Sequence, residues 1–212
     1  MDIAGIANRA PVIPVLTIER VADAVPLARA LVRGGLPVLE ITLRTPVALE
    51  ALKAIASDVP EAIVGAGTVL NEAQLDRAQA AGARFGVSPG CTAPLAAAAR
   101  KAGMAFLPAV QTVSEALDLA EQGFTVLKFF PASSAGGPGW LKAIAAPLPE
   151  IRFCPTGGIS QENAASYLAL PNVVCVGGSW VAPPAAAAAG RWDDIERLAA
   201  AAAALKQAPP RA

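Results

Sequence analysis

Lys128 stands inside Thr125-Val-Leu-Lys-Phe-Phe-Pro131, an apolar stretch of strand character that ends at a proline. Side chains of a strand alternate between faces, so Val126, Lys128 and Phe130 share one face and Leu127 and Phe129 the other. If the first face turns into a core, low dielectric disfavours an ammonium and leaves a free amine able to attack a carbonyl. The plain alternative is a lysine on an edge strand, or one whose charged head reaches back to water. A second polar set lies in Val38-Leu-Glu-Ile-Thr-Leu-Arg44, where Glu40, Thr42 and Arg44 alternate with Leu39, Ile41 and Leu43. A carboxylate beside an imine-forming lysine can carry the proton transfers of carbinolamine dehydration and enamine formation. The same alternation also fits an edge strand with one wet face, and a purely structural Glu–Lys pair would hold a charged, unreactive lysine.

Small residues and hydroxyls mark the ends of other apolar runs. Gly65-Ala-Gly-Thr-Val69 lets a ligand approach the backbone and offers the Thr68 hydroxyl, although Gly-Ala-Gly equally suits tight packing. Val87-Ser-Pro-Gly90 is compatible with a plain turn. Pro155-Thr-Gly-Gly-Ile-Ser160 and Val176-Gly-Gly-Ser-Trp180 each finish an apolar run in a glycine pair. One such pair is commonly a turn, but two at corresponding places point to backbone N–H groups arranged for a phosphate.

What must position these residues is a succession of β-branched runs, each followed by an alanine-rich amphipathic segment, with centres about twenty to twenty-six residues apart. The strands are expected at Val12 to Leu16, Pro37 to Thr42, Ala62 to Gly67, Arg84 to Val87, Ala105 to Pro108, Thr125 to Phe130, Arg152 to Pro155 and Val173 to Val176. Eight units close a (β/α)8 TIM barrel, here one domain over 1–212 with a short lead-in and a frayed tail at 207–212. An open doubly wound sheet would need Gly-x-Gly-x-x-Gly after its first strand, and Leu16-Thr-Ile-Glu19 has no glycine. In the barrel the apolar set of the second strand faces the helices, which sends Glu40 and Arg44 inward, where charges are costly unless paired or used. Glu40 and Lys128 fall on the second and sixth strands, and alternate strands fill a common interior layer.

Start and stop chemistry places the helices. Thr17-Ile-Glu-Arg20 leads into Val21 to Val32, which stops at Gly34-Gly35; Asn71 caps a helix over Glu72 to Ala81; Thr112 and Glu115 have capping-box spacing. A final alanine-heavy helix is expected over Trp192 to Lys206.

Composition narrows the chemistry. The 212 residues are 54% hydrophobic and only 16% charged, as packed α/β proteins are. Seventeen basic residues balance seventeen acidic ones, which gives no footprint for nucleic acid or an anionic membrane and points to small molecules or copies of the chain as partners. There is no histidine, so Ser-His-Asp and Cys-His chemistry are excluded. The three cysteines, Cys91, Cys154 and Cys175, lack metal-ligand spacing and read as reduced and structural; no metal is expected. Met1 to Ala10 does not read as a secretory signal, and apolar stretches are broken by Gly-Gly or Pro-Pro, which makes the cytoplasm the default.

Six segments, in order, resemble one family: Leu39-Glu-Ile-Thr-Leu-Arg-Thr45, Val64-Gly-Ala-Gly-Thr-Val69, Val87-Ser-Pro-Gly90, Leu127-Lys-Phe-Phe-Pro-Ala132, Phe153-Cys-Pro-Thr-Gly-Gly158 and Gly177-Gly-Ser179 are similar to the 2-keto-3-deoxy-6-phosphogluconate (KDPG) aldolases. The resemblance implies a class I carbon–carbon lyase of the KDPG/KHG aldolase family that splits KDPG into pyruvate and glyceraldehyde 3-phosphate, as in the Entner–Doudoroff pathway. It implies a homotrimer and no cofactor beyond a covalent imine on Lys128. By motif position Glu40 is the general acid/base, Arg44 and Thr68 bind the pyruvyl part, and Pro89, Phe130 and Thr156 adjoin the substrate. Gly157, Gly158, Gly178 and Ser179 resemble the phosphate site. The chain departs from the pattern at Ala109 and Gln111, which bears on substrate tolerance. Aldolases for the galactonate epimer share the imine chemistry, but Arg44 and Thr156 favour the gluconate reading. Activity on 4-hydroxy-2-oxoglutarate needs the same retro-aldol step. A phosphosugar isomerase would use the glycine pairs without an imine, and a phosphosugar-binding module would need neither Lys128 nor Glu40; fold alone does not choose among them.

Overall fold

A computed structural model describes residues 1–205, and strand and helix alternate along them. The strand segments are β1 Val12–Leu16, β2 Val38–Thr42, β3 Ile63–Gly67, β4 Phe85–Val87, β5 Ala105–Leu107, β6 Ala109–Val110, β7 Val126–Phe129, β8 Arg152–Pro155 and β9 Val176–Gly178. The helices are α1 Ile3–Ala7, α2 Val21–Arg33, α3 Ala48–Asp58, α4 Glu72–Ala80, α5 Ala93–Ala102, α6 Val113–Glu121, α7 Gly137–Ile144, α8 Ala164–Leu168, α9 Pro184–Ala188 and α10 Trp192–Ala203.

The strand pairings are parallel, in the orders β5-β4-β3-β2-β1-β9 and β6-β7-β8. Two features join these sheets into a ring. β6 continues β5 beyond Pro108, and the bridges Phe153↔Val173 and Thr156↔Gly177 connect β8 to the last stave. With β5 and β6 as one stave, the ring is the expected (β/α)8 barrel. The fifth stave is interrupted because a proline has no N–H to give to the ladder, while the Pro108 carbonyl still accepts from the Lys128 N–H at 2.9 Å.

The last stave departs from expectation. Val173 keeps one bridge to Phe153, and the strand proper is Val176–Gly178, in register with Val12, Ile13 and Pro14 of β1. Glycine's low strand preference hid this, since pairing with a neighbour overrides it. The second glycine pair therefore lies inside the strand.

Alternation sorts the side chains as the sequence demands. Ile13, Val38, Ile63, Phe85, Val87, Leu107, Val126, Cys154 and Cys175 pack together within the barrel, whereas Leu39, Ile41, Leu127 and Phe129 join the helices outside. The lead-in is more than a connector. Its helix α1 is capped by Asp2, whose Oδ1 accepts from the Gly5 N–H at 2.8 Å, and Ile6 and Ala7 complete the interior cluster. They pack with Val38, Ile63 and Val126, the first residues of their strands, so α1 plugs the amino-terminal mouth.

The caps at Asn71 and at Thr112/Glu115 form as expected. Thr17 does not cap α2, which starts after Arg20 without a side-chain cap. The final helix ends at Ala203; Lys206 and the tail 207–212 lie outside the described residues. Among the described residues no helix is long and apolar enough to cross a membrane.

Candidate active site

Lys128 enters the barrel from β7 with Val126, and its orientation is fixed from outside. The neighbouring Phe129 ring stacks on Trp140 of α7 with centroids 4.2 Å apart, and Trp140 in turn meets Phe153 of β8 edge-on at 5.8 Å. Glu40 enters from β2 with Val38. The amine and the carboxylate face each other, Nζ to Oε1, at 3.6 Å, and the two residues are only 5% and 3% exposed. That separation exceeds an ordinary hydrogen bond, and among the described residues Oε1 has no hydrogen-bond partner. A buried carboxylate oxygen without a hydrogen-bond donor costs about 1–3 kcal/mol or more. The Phe130 ring lies 5.0 Å from Nζ and contributes a cation–π contact.

Room for the carboxylate comes from β3. A Cβ added at Gly67 would lie 2.6 Å from Glu40 Cγ and 2.8 Å from Cδ, so the missing side chain is the space that Glu40 occupies. Gly65, which pairs with Glu40, is similarly filled by the Phe85 ring. Thr68 follows at φ 60°, the left-handed region, which costs a β-branched residue of order 1–3 kcal/mol. The glycines of β3 are thus needed for packing around the carboxylate, and the strain at Thr68 fixes how the chain leaves the strand.

A cleft of about 160 Å³, which neither Lys128 nor Glu40 lines, opens at the carboxyl ends of the strands. It is lined by Arg44, Phe130, Thr156, both glycine pairs and Ser179, with Val15 and Ile159. Phe130 and Val15 tie cleft to pair, the first by its contact with Lys128 and the second by its register with Glu40. Thr156 is buried, its Oγ1 donating to the Cys154 carbonyl at 3.4 Å. Gly157 and Gly158 have φ of 97° and 73°, which only glycine adopts freely.

Arg44 is a correction. It was expected to point into the barrel with Glu40, but β2 ends at Thr42 and Arg44 stands exposed on the rim. The guanidinium escapes desolvation there, and its Nη2 donates to Thr17 Oγ1 at 2.7 Å. Thr17 Oγ1 also lies 3.2 Å from Thr42 Oγ1, which donates to the Leu16 carbonyl at 2.8 Å. Thr17, read in the sequence as a helix start, is therefore a support for Arg44. Pro89 is half-buried after β4 and, like Thr68, does not line the cleft. Ser88 beside it is fully buried, its Oγ without a hydrogen-bond partner among the described residues.

Sequence reasoning missed Thr17, Ser133 and Asn163, whose bonds shape the rim. Asn163, five residues beyond Gly158, carried the only readable signal, an amide spaced to reach back to the preceding loop.

A family model described as KDPG and KHG aldolase matches residues 3–198. The chain is 54% identical over 192 residues to a 2-dehydro-3-deoxy-phosphogluconate aldolase of Pseudoalteromonas atlantica, covering 91% of this chain and 89% of the relative. It is 51% identical to the KHG/KDPG aldolase of Escherichia coli, with 92% of each covered. A crystal structure of KDPG aldolase from Legionella pneumophila, with pyruvate captured as a covalent carbinolamine, superposes with a TM-score of 0.94 at 45% identity, covering 96% of this chain and 99% of that one. The amine–carboxylate pair at the barrel's carboxyl end thus sits in a chain that belongs to the KDPG and KHG aldolase family of carbon–carbon lyases.

Proposed function

We propose that the chain cleaves KDPG to pyruvate and D-glyceraldehyde 3-phosphate through an imine on Lys128. The observation that carries this reading is the buried pair of Lys128 and Glu40, 3.6 Å apart, with the Phe130 ring between the lysine and a cleft that this ring lines. The Lys128 amine attacks the C2 carbonyl, and the carbinolamine loses its hydroxyl as water to give the imine. Removal of the C4 hydroxyl proton then breaks the C3–C4 bond, whose electron pair moves into the imine to form an enamine while the aldehyde departs. Protonation at C3 and addition of water at C2 release pyruvate and the free amine. Glu40 serves these proton transfers. Arg44 and Thr68 hold the pyruvyl end, Pro89, Phe130 and Thr156 flank the substrate, and the N–H groups around Gly157, Gly158, Gly178 and Ser179 take the phosphate. The imine is the only electron sink required.

Residues 1–212 act as one aldolase domain, in the cytoplasm and as a homotrimer. The gluconate epimer is preferred to the galactonate because the close relatives bear that name. The E. coli relative's name adds 4-hydroxy-2-oxoglutarate as a second substrate; lacking phosphate, it would leave the glycine cleft unused. Borohydride reduction in the presence of pyruvate should add a pyruvyl-derived mass to the Lys128 peptide. A label on Lys53, Lys101, Lys142 or Lys206 instead would overturn the mechanism.

A further inference from the structure

We infer that Ser133 and Asn163 are positioning residues for the phosphate end of the substrate, holding the Gly157–Ile159 backbone so that three consecutive N–H groups face the cleft. The inference rests on the phosphate reading above and adds residues which that reading does not contain. In a trans peptide the carbonyl of one residue and the N–H of the next point in opposite directions. Three successive carbonyls of this loop are tied on the side of the β7–α7 connection and α8. The Thr156 carbonyl accepts from the Ala132 N–H at 2.8 Å and the Gly157 carbonyl from the Ser133 N–H at 3.0 Å. The Gly158 carbonyl accepts twice, from Ser133 Oγ and from Asn163 Nδ2, both at 2.9 Å. The N–H groups of Gly157, Gly158 and Ile159 are thereby turned the other way, toward a cleft that these three residues line.

Successive N–H groups set in this manner form a concave anion site, with no side-chain cation required. The first two carbonyls are held by backbone donors, so only the third depends on side-chain identity. Asn163 is itself braced, its Oδ1 accepting from the Ser160 N–H at 2.9 Å. The buried Tyr167 hydroxyl, 3.4 Å from Ser133 Oγ, is placed to donate to it once the serine's single hydrogen is given to Gly158. Without the two side chains the Gly158–Ile159 peptide is free to rotate, and glycine at φ 73° offers little resistance.

The test uses inorganic phosphate as a competitive inhibitor of KDPG cleavage, alongside exchange of the pyruvate methyl protons with deuterated solvent. The chain is compared with Ser133→Ala, Asn163→Ala, the double variant and Ser133→Thr. Loss of both hydrogen bonds should raise the inhibition constant for phosphate and the KM for KDPG roughly tenfold, with the single changes giving less. Pyruvate exchange should stay within about twofold of the starting rate, and Ser133→Thr, which keeps the hydroxyl, should restore phosphate affinity. If phosphate competes in the unmodified chain but its inhibition constant is unchanged in the double variant, the positioning role is wrong while the phosphate cleft stands. If phosphate does not compete even in the unmodified chain, the cleft reading falls and this inference with it. Exchange falling in step with phosphate affinity would overturn the role by showing a general loss of site structure.

Discussion

Gly67→Ala should disable the acid/base without touching its chemistry. The new methyl would collide with Glu40 Oε1 and stand 2.6 Å from Cγ and 2.8 Å from Cδ. Carbon atoms in good contact are about 3.5–4.0 Å apart, so the carboxylate must retreat by roughly 1 Å. The backbone of Gly67 is not in the left-handed region, so alanine is accepted there, and the displaced atoms, Glu40 from Cγ outward, belong to a side chain and not to backbone. The displacement falls on the 3.6 Å approach to Lys128. A misplacement of this size costs about a hundredfold in rate, whereas the fold should lose on the order of 1 kcal/mol, or about 2–4 °C in Tm for a chain of this length. The assay is kcat for KDPG cleavage together with pyruvate proton exchange, since both need the carboxylate in place. Both should fall together by about two orders of magnitude, while slow borohydride trapping on Lys128 persists. A stable variant that turns over at the original rate would refute the claim that Gly67 exists to seat Glu40.

Three further outcomes are expected. Glu40→Gln keeps the shape and should lower turnover by about a hundredfold to ten-thousandfold, measured as kcat for KDPG; near-original turnover would leave Glu40 as a structural partner only. At Gly178, which lines the cleft, a Cβ would run into the Trp180 ring, so Gly178→Val must displace that indole or the backbone beside it; KDPG cleavage should drop strongly and pyruvate exchange much less. Equal losses in a variant still folded by circular dichroism would show that this segment shapes the whole site. Hydrogen bonding with Cys154, and then burial, raise the Cys175 thiol well above its ordinary 9.0. The folded chain therefore holds a proton that the unfolded chain gives up, so stability is full below about pH 9 and falls as pH rises from there toward the folded value. Urea midpoints from pH 8 to 11 should decline, and less so in Cys175→Ala; identical slopes would remove Cys175 from that account.

The strand periodicity was enough to place Lys128 and Glu40 inside the barrel, because alternation on a closed parallel sheet admits one arrangement once the apolar residues are turned to the helices. It failed for Arg44 because periodicity holds only while the strand continues, and two residues beyond Thr42 the side chain is on the rim. The glycine pairs were legible by type as residues that could face one ligand, and both line the cleft, yet Gly177–Gly178 belong to a strand through their pairing with β1, a contact between distant parts of the chain. The roles of Ser133 and Thr17 were hidden for the same reason, and that of Asn163 showed only as an amide spaced to reach back to the preceding loop. A serine or asparagine in a loop is ordinary turn chemistry until folding shows which carbonyl or guanidinium it meets.

The plug formed by α1 has a bearing on the order of assembly. The helix has five residues, and the cluster it docks into draws on residues as far along the chain as Cys175. A helix this short is not stable alone, so α1 has nothing to fold against until the ring that follows it in the sequence is made. Ile6 and Ala7 must wait, and α1 completes the barrel rather than seeding it. In a refolding experiment with pulsed hydrogen exchange, the Ile6 and Asn8 amides, bonded to the Asp2 and Ala4 carbonyls, should gain protection after those of β2 and β3. Protection arriving first at α1 would reverse this order. Met1 stands 65% exposed, so a tag joined there would leave the molecule without entering the mouth that α1 closes.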